Sequence, residues 1–140
     1  MQVVSSAFKD KPELDAYWHL MDEADLKRLS SSPLVEIGSH GHFHNNYASI
    51  STYEVSMDLL QSKQYLEEVI DQEVTLLAYP DGSYTKEVVN LAEEVGYHFQ
   101  FSTGSLYPEG DPDLRIHHRL GINPYIGQGY HAKAMIDGFY

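Results

Sequence analysis

The 140-residue chain is 42% hydrophobic and 12% aromatic, enough apolar material to bury the core of one domain spanning residues 1–140. A formal charge of −12 disfavours nucleic acid and anionic membrane surfaces as partners. With no cysteine, disulfides and thiolate chemistry are excluded, and any metal must be held by nitrogen and oxygen.

No stretch approaches the roughly 18 consecutive apolar residues of a membrane span. The first ten residues have neither the basic start nor the apolar middle of a signal peptide, so the chain reads as cytoplasmic as it stands. Residues 3–8 look like the tail of a strand, and Tyr17, Trp18, Leu20 and Met21 form an apolar cluster without a period. Asp22 is placed to cap a helix whose first turn carries Glu23 and Asp25, with Leu26 and Leu29 facing inward and Pro33 behind its end.

A strand over 34–39 then runs into His40, His42 and His44. If the chain curls into one helical turn after Ser39, the imidazoles of His40 and His44, four residues apart, point to one side as a shared metal ion needs, and His42 points away. One histidine in such a place is ordinarily a polar loop residue. Three in five positions point to a metal site, although two ligands fall short of the three or four that protein sites usually supply.

Ser51 or Thr52 caps the next helix, with Glu54 completing a capping box and Val55, Leu59, Leu66, Val69 and Ile70 as its buried stripe. Residues 74–79 form a near-continuous apolar run, the signature of a strand covered on both faces, and stop at the turn Pro80-Asp81-Gly82-Ser83. A helix from Thr85 through Val95 ends at Gly96, and residues 97–103 form another strand. Strand and helix alternate as in βα units, which predicts an α/β fold with mainly parallel strands, open or closed into a barrel. Chemistry in such folds gathers at the C-terminal strand ends, where this reading puts His40, Asp81 and Thr103. The glycine- and proline-rich last third holds one expected strand over 114–122, either lining a site with its arginines and histidines or exposing a polar face, and a short helix over 131–140 packing Ala134, Met135 and Phe139.

These residues resemble the polysaccharide deacetylases of carbohydrate esterase family 4, which share the NodB-homology domain. Glu36-Ile37-Gly38-Ser39-His40 followed by His44 is similar to the family's second motif, whose two histidines bind a divalent metal. Ala78-Tyr79-Pro80-Asp81-Gly82-Ser83-Tyr84 resembles a variant of the third motif, and Arg115 with His118-Arg119-Leu120-Gly121 resembles the arginine-bearing strand that closes many of these domains. Two substitutions depart from the pattern. Gly41 stands where the family usually has Thr or Ser, removing a hydroxyl that helps order the loop, and Asp81 replaces an aromatic residue. The first motif, an Asp-Asp pair, has no counterpart in residues 1–140, which implies an incomplete or distorted (β/α) barrel of the NodB type with its first strand missing.

The resemblance implies hydrolysis of N-acetyl or O-acetyl groups on a glycan, with His40 and His44 holding Zn2+, or alternatively Co2+ or Ni2+. It further implies an oxyanion donor in the backbone N–H of Asp81, help from Arg119, and a general acid that the sequence does not rank among His117, His118 and His131. Without the Asp pair the chain is expected to turn over slowly or not at all, since a general base contributes roughly 10²–10⁴ in rate. A non-catalytic glycan-binding module is the rival, its tyrosines stacking on sugar rings. The absent strand would also leave an open sheet edge, which predicts self-association.

Overall fold

The computed structural model describes residues 20–103, 113–119 and 127–137. The chain divides into two compact units, Met1–Val35 and Glu36–Tyr140. In the first, helix α1 (Glu23–Ser30) starts at the expected cap. The Asp22 carboxylate accepts from the Asp25 N–H at 2.8 Å, and the Asp25 carboxylate returns the bond at 3.4 Å. Leu26 and Leu29 are half-buried rather than inward-facing, and among the described residues none of α1 is fully buried. The strand expected at residues 3–8 and the cluster at Tyr17 and Trp18 lie outside the described residues.

The second unit runs α2 (Thr52–Ile70), β1 (Leu76–Ala78), a short 3₁₀ turn (Pro80–Gly82), α3 (Lys86–Val95), β2 (Phe99–Thr103), β3 (Ile116–Arg119) and α4 (Gln128–Asp137). The three strands pair in parallel in the order β1-β2-β3, with Ala78 opposite Phe101 and Thr103 opposite Arg119. The fold is α/β with a parallel sheet, as the alternation of elements predicts. Only Ser39 of the strand expected at 34–39 joins it, through a parallel bridge to Leu77. The strand expected at 114–122 pairs over four residues, and residues 120–126 lie outside the described residues. Helix α4 begins at Gln128, three residues before the expected entry at His131. The side chains of Ala134 and Met135, and Phe139 altogether, lie outside what is described.

Helix α2 is fixed at its start by the predicted capping box: the Ser51 hydroxyl accepts from the Glu54 N–H at 3.3 Å and Glu54 accepts from the Ser51 N–H at 3.0 Å. It buries Val55, Leu59, Val69 and Ile70, each worth roughly 1.5–3 kcal/mol of apolar burial, whereas Leu66 is half-exposed. Against them pack Val74, Leu77 and Tyr79 around β1, Val88, Val89 and Ala92 of α3, and Tyr97. On β2 the buried positions are Gln100 and Ser102, while Phe99 is half exposed and tilts against His117 together with Phe101. Gln100 is fully buried and fully paired. Its amide oxygen accepts from the Tyr79 hydroxyl, and its nitrogen donates to the carbonyls of Val89 and Tyr97, each at 3.2 Å.

Burial drives the phenols of Tyr47 and Tyr79 well above the ordinary tyrosine range and raises that of Tyr97. The folded state therefore holds these protons more tightly than the unfolded chain does. Their stabilisation is complete below the unfolded value of about 10 and is lost as pH rises above it. Alkaline titration should show tyrosinate absorbance from these three rings only together with loss of the far-ultraviolet dichroism. Their smooth ionisation in a chain that stays folded would contradict this.

Candidate functional site

The turn after β1 and the loop after Ser39 meet at the C-terminal edge of the sheet. His40 donates from Nδ1 to the Ala78 carbonyl at 2.6 Å; a carbonyl only accepts, so Nδ1 carries the hydrogen and Nε2 keeps its lone pair. Histidines that bind metals are ordinarily held this way, through the other ring nitrogen. The ring of His44 stands edge-on to that of His40, with centroids 4.8 Å apart and planes at 82°. Two imidazoles on one zinc at about 2.0–2.1 Å have ring centres about 4.5–5.2 Å apart, so the donor type and the separation of the two rings are compatible with a shared divalent cation. Among the described residues no group of three His, Asp or Glu side chains suited to a metal is present. His40 is exposed and borders a cavity of about 290 Å³, lined also by Gly38, His42, Ser62, Tyr65 and Leu66.

The apposition does not arise from a helical turn. Residues 40–44 form an irregular bend in which Gly41 (φ +78°) and His44 (φ +56°) take left-handed conformations. His42 packs edge-on against Phe43 and lines the same cavity that His40 borders. Asp81 is exposed, also left-handed (φ +55°), and sits in a turn closed by the N–H groups of Gly82 and Ser83 bonding to the carbonyls of Tyr79 and Pro80. That turn is seated on the end of β2, where the Ser102 hydroxyl donates to the Gly82 carbonyl at 2.7 Å.

The structure thus brings His40 and His44 together and ties His40 to Ala78, at the strand end that leads into the Asp81 turn. Arg119 is exposed two strands away, opposite Thr103, and its neighbour Arg115 pairs with Asp113 at 2.7 Å, holding that carboxyl below the usual range. His117 lies on the exposed face with Phe99 and Phe101. His131 is buried within α4 at 6% exposure, and the side chain of His118 is outside the described residues.

Residues 4–100 match the polysaccharide deacetylase family. The chain belongs to that family. This deacetylase-family chain is 24% identical over 106 residues to YxkH of Bacillus subtilis (strain 168), named for polysaccharide deacetylase, covering 76% of this chain and 38% of that one. The structure of BC0361, a polysaccharide deacetylase from Bacillus cereus, superposes with a TM-score of 0.67 at 24% identity over 82% of this chain and 36% of that one. A de-N-acetylase from Aggregatibacter actinomycetemcomitans superposes at 0.66 with 18% identity over 81% and 52%. The fold is therefore that of the NodB-type deacetylases. This chain spans about two fifths of the curated relative's length and about half of the de-N-acetylase.

Two residues absent from the sequence-based site hold the deacetylase-family loop in place. Asp58 of α2, 2% exposed, accepts from the backbone N–H groups of His42 and Phe43, from the Asn45 amide and from the Tyr47 hydroxyl. The only sign of it in the sequence is its position three residues after Val55, on a stripe that is apolar apart from it and Ser62. Tyr47, 1% exposed, explains the departure at Gly41: a Cβ there would stand 2.6 Å from the Tyr47 hydroxyl and 3.1 Å from Asp58 Oδ2. The space that a Thr or Ser side chain would need is already filled by a hydroxyl from elsewhere in the chain. Gly41→Ser is accordingly expected to destabilise by about 1–3 kcal/mol, from left-handed strain and the displaced tyrosine, as read by urea denaturation. An unchanged midpoint would show that the loop does not need glycine.

Proposed function

We propose that this chain carries the cation-binding part of a hydrolase that removes acetyl groups from the N-acetylated, or O-acetylated, sugars of a glycan. The observation that supports it is the juxtaposition of His40 and His44 at the strand ends of a deacetylase fold. These two side chains would hold a divalent cation, Zn2+ foremost with Co2+ or Ni2+ as alternatives. Bound there, the cation supplies Lewis-acid polarisation of an acyl oxygen and acidifies water. His40 serves through Nε2 because Ala78 fixes its other nitrogen.

The backbone N–H of Asp81, in a rigid left-handed turn, is the donor for negative charge developing on the acyl oxygen. The leaving amine needs a proton from an accessible imidazole, which favours the exposed His117 over the buried His131, with His118 as the remaining candidate. Arg119, exposed at the end of β3, adds a fixed positive charge to the same edge of the sheet. A second reading, a glycan-binding module without turnover, is favoured by the exposed rings of Phe99 and His117 beside Phe101, a platform of the kind that sugars stack on.

Incubation of the chain with zinc or cobalt and an acetylated chito-oligosaccharide separates the two. Acetate release that stops with a chelator supports the hydrolase; oligosaccharide binding without acetate supports the module; failure to take up either metal removes the first reading.

A further inference from the structure

The loop that carries both histidines is fastened to one carboxylate, and that carboxylate is used to capacity. Asp58 Oδ2 accepts from the His42 N–H at 2.6 Å and the Tyr47 hydroxyl at 2.7 Å, while Oδ1 accepts from the Phe43 N–H at 3.2 Å and Asn45 Nδ2 at 3.0 Å. A carboxylate offers about four lone-pair sites and no donor, and all four partners here come from the segment between His40 and Ser51. Asparagine has the same shape but would turn an NH2 toward two donors.

One turn further along α2, Ser62 makes a second attachment. Its hydroxyl lies 2.6 Å from that of Ser39, which in turn accepts from the Gly41 N–H at 3.1 Å. His40 is therefore bracketed: Ser39 before it and residues 42–47 after it are both anchored to the same face of one helix, at positions four apart.

We propose that Asp58 is the positioning residue of the cation site, setting the separation of the His40 and His44 rings before any ligand arrives. The inference rests on the reading of those histidines as cation ligands. A loop with two left-handed residues, one of them His44 itself, needs external restraint to stay in one conformation. Asp58 supplies it from a buried position on α2, so the cost of ordering the loop is met on folding rather than on binding. Asp58 touches neither imidazole; it acts through the backbone on both sides of the bend.

The test uses the whole chain and Asp58→Asn. Two quantities are read: cobalt affinity from visible absorption, and, with no metal present, amide hydrogen exchange at His42 and Phe43. Cobalt affinity is expected to fall roughly 10–100-fold, the usual effect of losing a residue that supports a ligand, and exchange at both amides to accelerate, with the far-ultraviolet spectrum unchanged. Tyr47→Phe and Asn45→Ala each remove one donor and should weaken cobalt binding by a smaller factor.

A folded Asp58→Asn chain with the unaltered cobalt affinity and slow exchange overturns the proposal. Should that variant not fold, Tyr47→Phe and Asn45→Ala decide the matter, and unaltered affinity in both overturns it as well. If the unaltered chain takes up no cobalt, the reading of the histidines as ligands fails. The metal-free exchange data, and the magnetisation transfer between the His40 and His44 rings in Asp58→Asn, still establish or overturn the role of Asp58 in holding them together.

Discussion

Cobalt uptake is expected to vanish in His40→Ala and equally in His40→Asn, although the two variants differ in what they leave behind. Alanine removes both ring nitrogens and frees the Ala78 carbonyl, which then faces solvent at a strand end. Asparagine places an amide NH2 near the position of Nδ1 and keeps the bond to Ala78, but has nothing where Nε2 was. If the ring serves as a ligand through Nε2, the asparagine variant retains the fold and the loop and loses the cation. The expected drop exceeds the roughly 10–100-fold that follows from disturbing a supporting residue alone, because half of the described donor pair is gone. Titration by calorimetry or cobalt absorption, with a circular dichroism control, reads it. A folded His40→Asn chain that still binds cobalt with the original affinity would place the ion elsewhere.

The largest stability effect is expected at Gly82. Its φ of +68° lies in the left-handed region, and a Cβ there would stand 2.2 Å from Thr103 Oγ1, 3.0 Å from the Thr103 backbone nitrogen and 3.2 Å from Ser102 Oγ. A side-chain oxygen can swing aside, but the backbone of a paired strand cannot. Left-handed strain of roughly 1–2 kcal/mol and overpacking of roughly 1–3 kcal/mol put Gly82→Ala about 2–5 kcal/mol below the parent. For a chain of this length that lowers the melting temperature by roughly 7–17 °C. Adding Thr103→Ala should return only part of the loss, since it removes one of the three close atoms and leaves the dihedral strain. A Gly82→Ala chain within about 0.5 kcal/mol of the parent would show that the Asp81 turn is not seated on β2 as described.

The parts of this fold that are readable from sequence are those set by local chemistry. Ser51 with Glu54, and Asp22 before an acidic first turn, announce helix starts because the orphan N–H groups there need side-chain acceptors. The apolar run ending at Pro80 announces a covered strand. The histidine pair is half-legible: a spacing of four brings the rings together in a helix, but here a left-handed bend does it, and the restraint comes from Asp58, fourteen residues beyond His44.

Long-range hydrogen bonds of that kind leave no periodicity to read. Strand β2 is misleading for a related reason. Hydropathy alone would turn Phe99 and Phe101 toward the helices, yet that side holds Gln100 and Ser102, because the Tyr79 hydroxyl, the Val89 carbonyl and the Gly82 carbonyl all lie there needing partners.

The buried Gln100 amide makes the alignment of the sheet nearly all-or-none. Its oxygen and nitrogen are chemically distinct ends, and its surroundings supply a hydroxyl at one end and two carbonyls at the other. Sliding β2 by a single residue would push a phenyl ring into that slot, strand three polar groups in hydrocarbon and reverse which side of every residue meets α3. The glutamine thus works as a key cut for one lock, discouraging misaligned sheets during folding at the cost of a place where an aliphatic side chain would otherwise sit.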